Sequence, residues 1–152
     1  MSNNSENPSL KLMGSENPIC VNATTFSDLR AEFQVEDISA LMPSMRGVGV
    51  RVAGLLELTP LPMGSDHVTF SSSDGQYSAS LTLDQAKKYG ILLYQVDGLP
   101  LPADKGGPFR LVTPGLGDLC ANVKNVGQIT ISAGSGKDTR PEERSCKFVE
   151  NS

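Results

Sequence analysis

The sequence contains no tryptophan, one histidine and only 5% aromatic residues. A hydrolase triad needs a base, and the single imidazole, His67, sits in the strand-like run Asp66-His67-Val68-Thr69-Phe70. A lone histidine in that setting reads as a structural strand residue. The three cysteines, Cys20, Cys120 and Cys146, are odd in number and far apart. No CxxC or CxxxC pair exists, which argues against a structural zinc site and for free thiols in a reducing compartment. Cys20, in Pro18-Ile19-Cys20-Val21, reads as a buried thiol. No apolar run approaches the roughly 20 residues that a membrane-crossing helix needs. Met1 to Pro8 is Ser/Asn-rich and lacks the basic start and apolar stretch of a signal peptide. A soluble, cytoplasmic chain with no membrane partner is the expectation. Positive charge is also scarce, with 13 Lys plus Arg against 17 Asp plus Glu and a net charge of -4. That balance disfavours a broad nucleic-acid-binding face and leaves room for a local basic pocket. A phosphate loop is missing, because Gly134-Ser135-Gly136-Lys137-Asp138 lacks the first spaced glycine and the Ser/Thr after lysine.

What the chain does have is length for one domain and an abundance of chain-turning residues. Its 152 residues include 15 glycines and 10 prolines, so turns should be many and long helices few. Residues 1–17 are polar without a periodic pattern and read as a flexible N-terminal arm. Residues 134–152 are Gly/Ser-rich and then charged, and read as a C-terminal tail. The folded body is expected over 18–133. Within it, Thr25 to Leu29 opens like a short helix, and Gln34 to Ile38 alternates like a strand. Val52 to Leu58 reads as a helix stopped before Pro60. His67 to Ser71 and Tyr77 to Leu81 read as a hairpin around Ser73-Asp74-Gly75-Gln76. Thr82 to Gly90 is a short helix with a capping Thr or Asp. Ile91 to Val96, Phe109 to Val112 and Val123 to Ile131 are strands. The sum is α+β: a β-dominated mixed-sheet domain of about six to eight short strands with two or three short helices.

The chemistry-bearing residues cluster between Gly90 and Ile131. Asp97-Gly98 is a hairpin dipeptide. Gly106-Gly107 allows a positive φ or a close approach to a ligand. Pro108 suits a strand start, since it cannot donate to a ladder. Arg110 can pair a phosphate or a buried carboxylate with its planar fork, or serve as a structural arginine for the loop. Lys124 offers a point charge to an anion, with Asn122 beside it; both are equally ordinary polar positions at a strand start. Ser71-Ser72-Ser73 reads as strand-end polarity. If Arg46, Arg51, Arg110 and Lys124 line one cleft, an anionic ligand is indicated; if they scatter, a binding module gains.

Taken together, Leu92-Leu93-Tyr94-Gln95-Val96-Asp97-Gly98-Leu99-Pro100-Leu101-Pro102, then Gly106-Gly107-Pro108-Phe109-Arg110-Leu111-Val112-Thr113-Pro114-Gly115, then Asn122-Val123-Lys124 resemble the molybdopterin-binding domain of the sulfite-oxidase family. Val68 to Gly75 resembles that family's strand and "S-DG" turn, and Gly47 to Leu56 its "G-V-L-LL" segment. The resemblance covers about residues 25 to 132. It implies the family's fold and a bound molybdopterin, the molybdenum cofactor. In the family the lysine of the "VK" step touches the pterin, which carries that role to Lys124, with Asn122, Arg110, Gly106, Gly107 and Cys120 completing the implied cofactor site. Catalytic members also bind molybdenum through a cysteine thiolate upstream of the segment matching Gly47 to Leu56. Here Leu41 to Gly47 is shorter and has no cysteine, and Cys120 is the one thiol near the implied site. Two functions follow: a molybdopterin-cofactor-binding, oxidoreductase-like domain, with or without independent catalysis, or a degenerate non-enzymatic binding or interaction module on the same fold. The partners implied are a small-molecule or anionic cofactor and a partner protein chain, since full enzymes of the family use a larger half to enclose the cofactor.

Overall fold

Ser9-Leu10-Lys11-Leu12-Met13 alternates polar and apolar side chains, the pattern by which a strand buries one face. A computed structural model of the protein describes residues 9–15, 17–43, 45–116 and 122–134. In it this run is a strand, β1 (Ser9–Met13), with Leu10 and Leu12 buried. The expectation of a flexible arm over 1–17 is therefore corrected across these five residues. Their alternation is too short to stand out from polar surroundings, and its partner is distant in sequence. β1 lies between β2 (Ile19–Asn22), which it pairs antiparallel, and β10 (Val126–Ser132), which it pairs parallel. β5 (His67–Ser72) and β6 (Ser78–Thr82) complete one sheet in the order β2-β1-β10-β5-β6. Its apolar side feeds the core through Leu12, Phe70, Leu81 and Ile129. Lys11 and Gln128, paired in register, share the polar side. Cys20 is exposed rather than buried, because the alternation of β2 turns Val21 inward instead.

The second sheet is built around Ile91-Leu92-Leu93-Tyr94, a continuous apolar run of the kind that a strand covered on both faces requires. This run is β7 (Ile91–Val96). One edge pairs with β4 (Val48–Arg51), which in turn pairs with β3 (Gln34–Val35). The other edge is shared by β8 (Leu99–Pro100) and β9 (Arg110–Val112). Leu92 and Tyr94 enter the main core with Phe26, Phe70, Phe109 and Ile129. Phe26 stands edge-on to Tyr94 and Phe109, with ring centroids 5.4 and 5.5 Å away. Ile91 and Leu93 belong to a smaller core with Val35, Ile38, Leu101 and Val112, against which Met42 and Met45 pack.

The three α-helices among the described residues, α1 (Ala23–Ser27), α2 (Val52–Leu55) and α3 (Leu83–Tyr89), are short, as the glycine and proline content foretells. α1 begins two residues before the expected Thr25. Asn22 is its cap, accepting hydrogen bonds from the Thr24 and Thr25 amides, while Thr25 Oγ1 accepts one from the Asn22 amide. Thr82 and Gln85 make the same reciprocal cap on α3. The strand expected over Gln34 to Ile38 ends at Val35, because Asp37 accepts from the Ser39 amide and opens a 3-10 turn. Ten strands stand among the described residues, against six to eight expected, and two of them are only two residues long. No helix among the described residues is long and apolar enough to cross a membrane. Leu12→Ala should lose about 2–5 kcal/mol in urea unfolding, whereas Lys11→Ala should stay within about 0.5 kcal/mol of the parent. Equal, negligible effects would restore the arm.

Candidate functional site

The site grows out of the chain between β7 and β9. Asp97 and Gly98 both take positive φ, 54° and 80°, as the tight hairpin between β7 and β8 demands. The chain then passes the buried Leu101 and a 3-10 turn, Ala103–Lys105, to Gly106 at φ 91°. A Cβ on Gly106 would lie 2.8 Å from Arg110 Cδ and 3.0 Å from Lys124 Cγ. A Cβ on Gly107 would lie 1.8 Å from the Leu101 carbonyl oxygen. Both glycines are thus dictated by close approach. The Asn125 amide donates to the Gly106 carbonyl at 2.7 Å, and the Val126 amide to the Phe109 carbonyl at 2.8 Å. Leu111 and Val123 exchange a pair of backbone hydrogen bonds. These contacts lay the segment carrying Lys124 alongside the segment carrying Arg110, and bring both cationic stems over Gly106.

Arg110 donates through Nη1 to the Lys105 carbonyl at 3.3 Å, but its Nε is buried without a hydrogen-bond partner among the described residues. Burial pushes the pKa of its guanidinium below the ordinary value. Among the described residues neither Arg110 nor Lys124 makes an ion pair. Two neighbouring cations with an orphaned buried donor form a place where an anion is favoured. Asn122 is brought to the same neighbourhood, with its carbonyl oxygen already engaged. Oδ1 accepts from the Thr113 amide and from Thr113 Oγ1, each at 3.2 Å. Its amide NH2 is the part left for a ligand.

Two cavities open near this ridge. One, of about 390 Å³, is lined by Asn122, Lys124 and Asn125 together with Asp74, Gln76 and Tyr77. The other, of about 280 Å³, is lined by Arg110 with Arg46, Lys105, Asp104 and the apolar Leu93 and Leu101. Of the four cations considered from sequence, Arg46 and Arg110 share one cavity, Lys124 lines the other, and Arg51 lines neither. Sequence reading missed Asp74, Gln76, Tyr77 and Lys105. Ser73 to Gln76 carries a turn signal, and nothing local says that the turn borders a cavity. Asp74 accepts from Ser72 Oγ at 2.6 Å and from the Gln76 amide at 2.9 Å, and these bonds hold its carboxyl below the usual range. It remains an ionised acceptor at neutral pH.

The remaining thiols and the imidazole stand apart or outside view. His67 Nδ1 lies 2.9 Å from Asp66 Oδ1, and His67 lines neither cavity. Cys20 lines neither cavity, and Cys120 and Cys146 fall outside the described residues. Among the described residues no group of three or more His, Cys, Asp or Glu could hold a metal ion. The ridge itself gives a stability test. Gly98 also has positive φ, but a Cβ there meets nothing within 4 Å. Gly98→Ala should cost about 1 kcal/mol through backbone strain alone. Gly106→Ala should cost clearly more in urea unfolding, because Arg110 and Lys124 must also move. Equal costs would mean that the stems are not packed on Gly106.

Comparison with known proteins bears on the family and the fold. The model of the family described as "Oxidoreductase molybdopterin binding domain" matches residues 20–139. The sulfite oxidase of Arabidopsis thaliana is 36% identical over 97 residues, covering 53% of this chain and 24% of that protein. Among solved structures, the sulfane dehydrogenase SoxCD from Paracoccus pantotrophus superposes with a TM-score of 0.64 at 18% identity, over 84% of this chain and 38% of that one. The chain spans about a quarter of the plant enzyme and well under half of the SoxCD chain, and the latter likeness is one of fold. With a match running from β2 through β10, the chain belongs to the oxidoreductase molybdopterin binding domain family.

Proposed function

We propose that this chain is the cofactor-holding domain of an oxidoreductase, binding molybdopterin across the ridge at Gly106. The observation that carries the reading is the convergence of Arg110 and Lys124 on Gly106 with the Arg110 Nε buried and unpartnered. Molybdopterin joins a polar pterin ring to an anionic arm, and the donor set suits both parts. Arg110, Lys105 and Lys124 would take the anionic groups as charge-assisted donors. The Asn122 amide and the Asp74 carboxylate would donate to and accept from the ring edge. Gly106 and Gly107 would serve the cofactor by packing, Gly106 letting the Arg110 and Lys124 stems close on the backbone and Gly107 letting the loop close on Leu101. When bound, the molybdenum cofactor supplies the electron transfer, and the protein supplies binding, orientation and electrostatics. The one described thiol, Cys20, lines neither cavity, so Cys120, outside the described residues, stays in the proposed set as the one thiol near Lys124 in sequence.

A partner chain or a further domain that closes over the two cavities belongs to the same proposal, because the relatives extend well beyond the matched region. A cytoplasmic, reducing setting accords with Cys20 as a free thiol, and the net charge of -4 accords with a partner other than nucleic acid. The test is cofactor content after purification from a host that makes molybdenum cofactor. Oxidation should release fluorescent pterin at close to one per chain from the parent and from Arg51→Ala. Lys124→Ala and Arg110→Ala should each retain roughly a tenth or less, the loss expected from one charge-assisted contact. Equal pterin in all four proteins would remove Arg110 and Lys124 from the site. Molybdenum measured on the same samples separates an oxidoreductase domain from a metal-free binding module.

A further inference from the structure

The smaller cavity holds a feature that cofactor binding alone does not use. Arg46 lines it beside Lys105 and Arg110, yet the Arg46 guanidinium is turned to a carboxylate: Nη2 donates to Asp97 Oδ1. Asp97 stands at the tip of the β7–β8 hairpin, 51 residues further along the chain. Both side chains are exposed, 70% and 61%, and exposed ion pairs contribute little. The backbone around Arg46 is held on both sides. The Met45 amide donates to the Met42 carbonyl, the Gly47 carbonyl accepts from the Ile38 amide, and Met45 packs on the smaller core. The Arg46 side chain itself has its one ion pair, to Asp97, among the described residues.

The charges in and around the cavity define the ligand. Arg46, Lys105 and Arg110 face one lining carboxylate, Asp104. The other carboxylate in the field of Arg46 is Asp37, which is already engaged by the Ser39 amide at 3.0 Å and Ser39 Oγ at 2.6 Å. Lys105 makes no ion pair among the described residues, and the Arg110 Nε is an orphaned donor. The volume of about 280 Å³ lies just below the usual range for whole-cofactor pockets, about 300–1,000 Å³, and suits a small polyvalent anion such as a phosphate group. Planar guanidinium forks match phosphate oxygens in pairs.

We propose that Arg46 is a third, exchangeable cation of a phosphate-recognising cavity, and that Asp97 is the internal counter-ion which an incoming phosphate displaces. The proposal rests on the reading of the Arg110 cavity as an anion site and adds its gate. With phosphate absent, Arg46 is parked on the hairpin tip. With phosphate bound, the Arg46 guanidinium leaves Asp97 and closes on the anion beside Lys105 and Arg110. Asp97 thereby sets the affinity from outside the cavity, through Arg46 alone.

Calorimetric titration of the whole chain at constant ionic strength tests this, with inorganic phosphate and phenyl phosphate as ligands and chloride as the control anion. Asp97→Asn is the informative variant, because asparagine accepts the left-handed backbone at that position. It should bind about threefold to fivefold more tightly than the parent, the change expected from removing an exposed ion pair. Arg46→Gln should bind more weakly than the parent by a similar factor or more. The double variant should match Arg46→Gln, since Asp97 acts only through Arg46. A response to both ligands means that a free phosphate suffices, and a response to phenyl phosphate alone means that the cavity takes a phosphate ester. Either response, with the gain in Asp97→Asn, supports the gate. Binding that Asp97→Asn leaves unchanged, or a double variant tighter than Arg46→Gln, overturns the gate and leaves the anion site standing. No binding of either ligand by any of the four proteins overturns the anion reading and the gate together.

Discussion

The close approach at Gly106 governs the placement of every charged group in the site. At φ 91° and with no side chain, this residue lets the stems of Arg110 and Lys124 fold against the backbone, where any Cβ would displace them. The Asn125 amide fixes the same residue from the far side through the Gly106 carbonyl. The stems of two cations are thus held together on one residue, with no ion pair to either among the described residues. The energy that tolerates this crowding comes from the apolar residues flanking each charge. Phe109 and Leu111 flank Arg110, Val123 and Val126 flank Lys124, and all four are buried in the main core.

That core in turn depends on how the sheets are threaded. β10 carries the chain away from Lys124 and sits between β1 and β5, so the last described strand is clamped by one of the first. β7 is the corresponding centre of the second sheet, and β9 with Arg110 hangs on its edge. Arg110 opens β9, while Gly106 and Lys124 lie in connecting segments that the Leu111–Val123 and Asn125–Gly106 hydrogen bonds pin to that strand, which is how a fold keeps a few donors in register for a ligand. The hairpin tip at Asp97 belongs to the same β7 edge, so the Arg46 contact is fixed relative to the ridge through one strand.

Much of this was legible along the chain where the signal was local. The apolar run of β7, the Asp97-Gly98 turn, the Thr82 cap and the hairpin of β5 and β6 all emerged close to their true bounds, because each is dictated by neighbours within a few residues. β1 was not legible. Its alternation covers only Ser9 to Met13, and its burial depends on β10 at the other end of the domain. Cys20 was misjudged for a related reason: composition favours a buried cysteine, while register decides which side of β2 it takes. For the site, the residue types were readable at Arg110, Lys124 and Gly106 and were strengthened by family resemblance. Their meeting was not readable, since it requires the Leu111–Val123 bridge. Asp74 carried only a turn signal. The Arg46–Asp97 contact has no local signal at all.

Mass measurement of the intact, natively folded chain isolated from a cell that makes molybdenum cofactor puts the central claim to the most direct test. The account predicts a species heavier than the bare polypeptide by one molybdopterin-type cofactor, released on unfolding. A fully folded chain found only at its polypeptide mass under those conditions would contradict it.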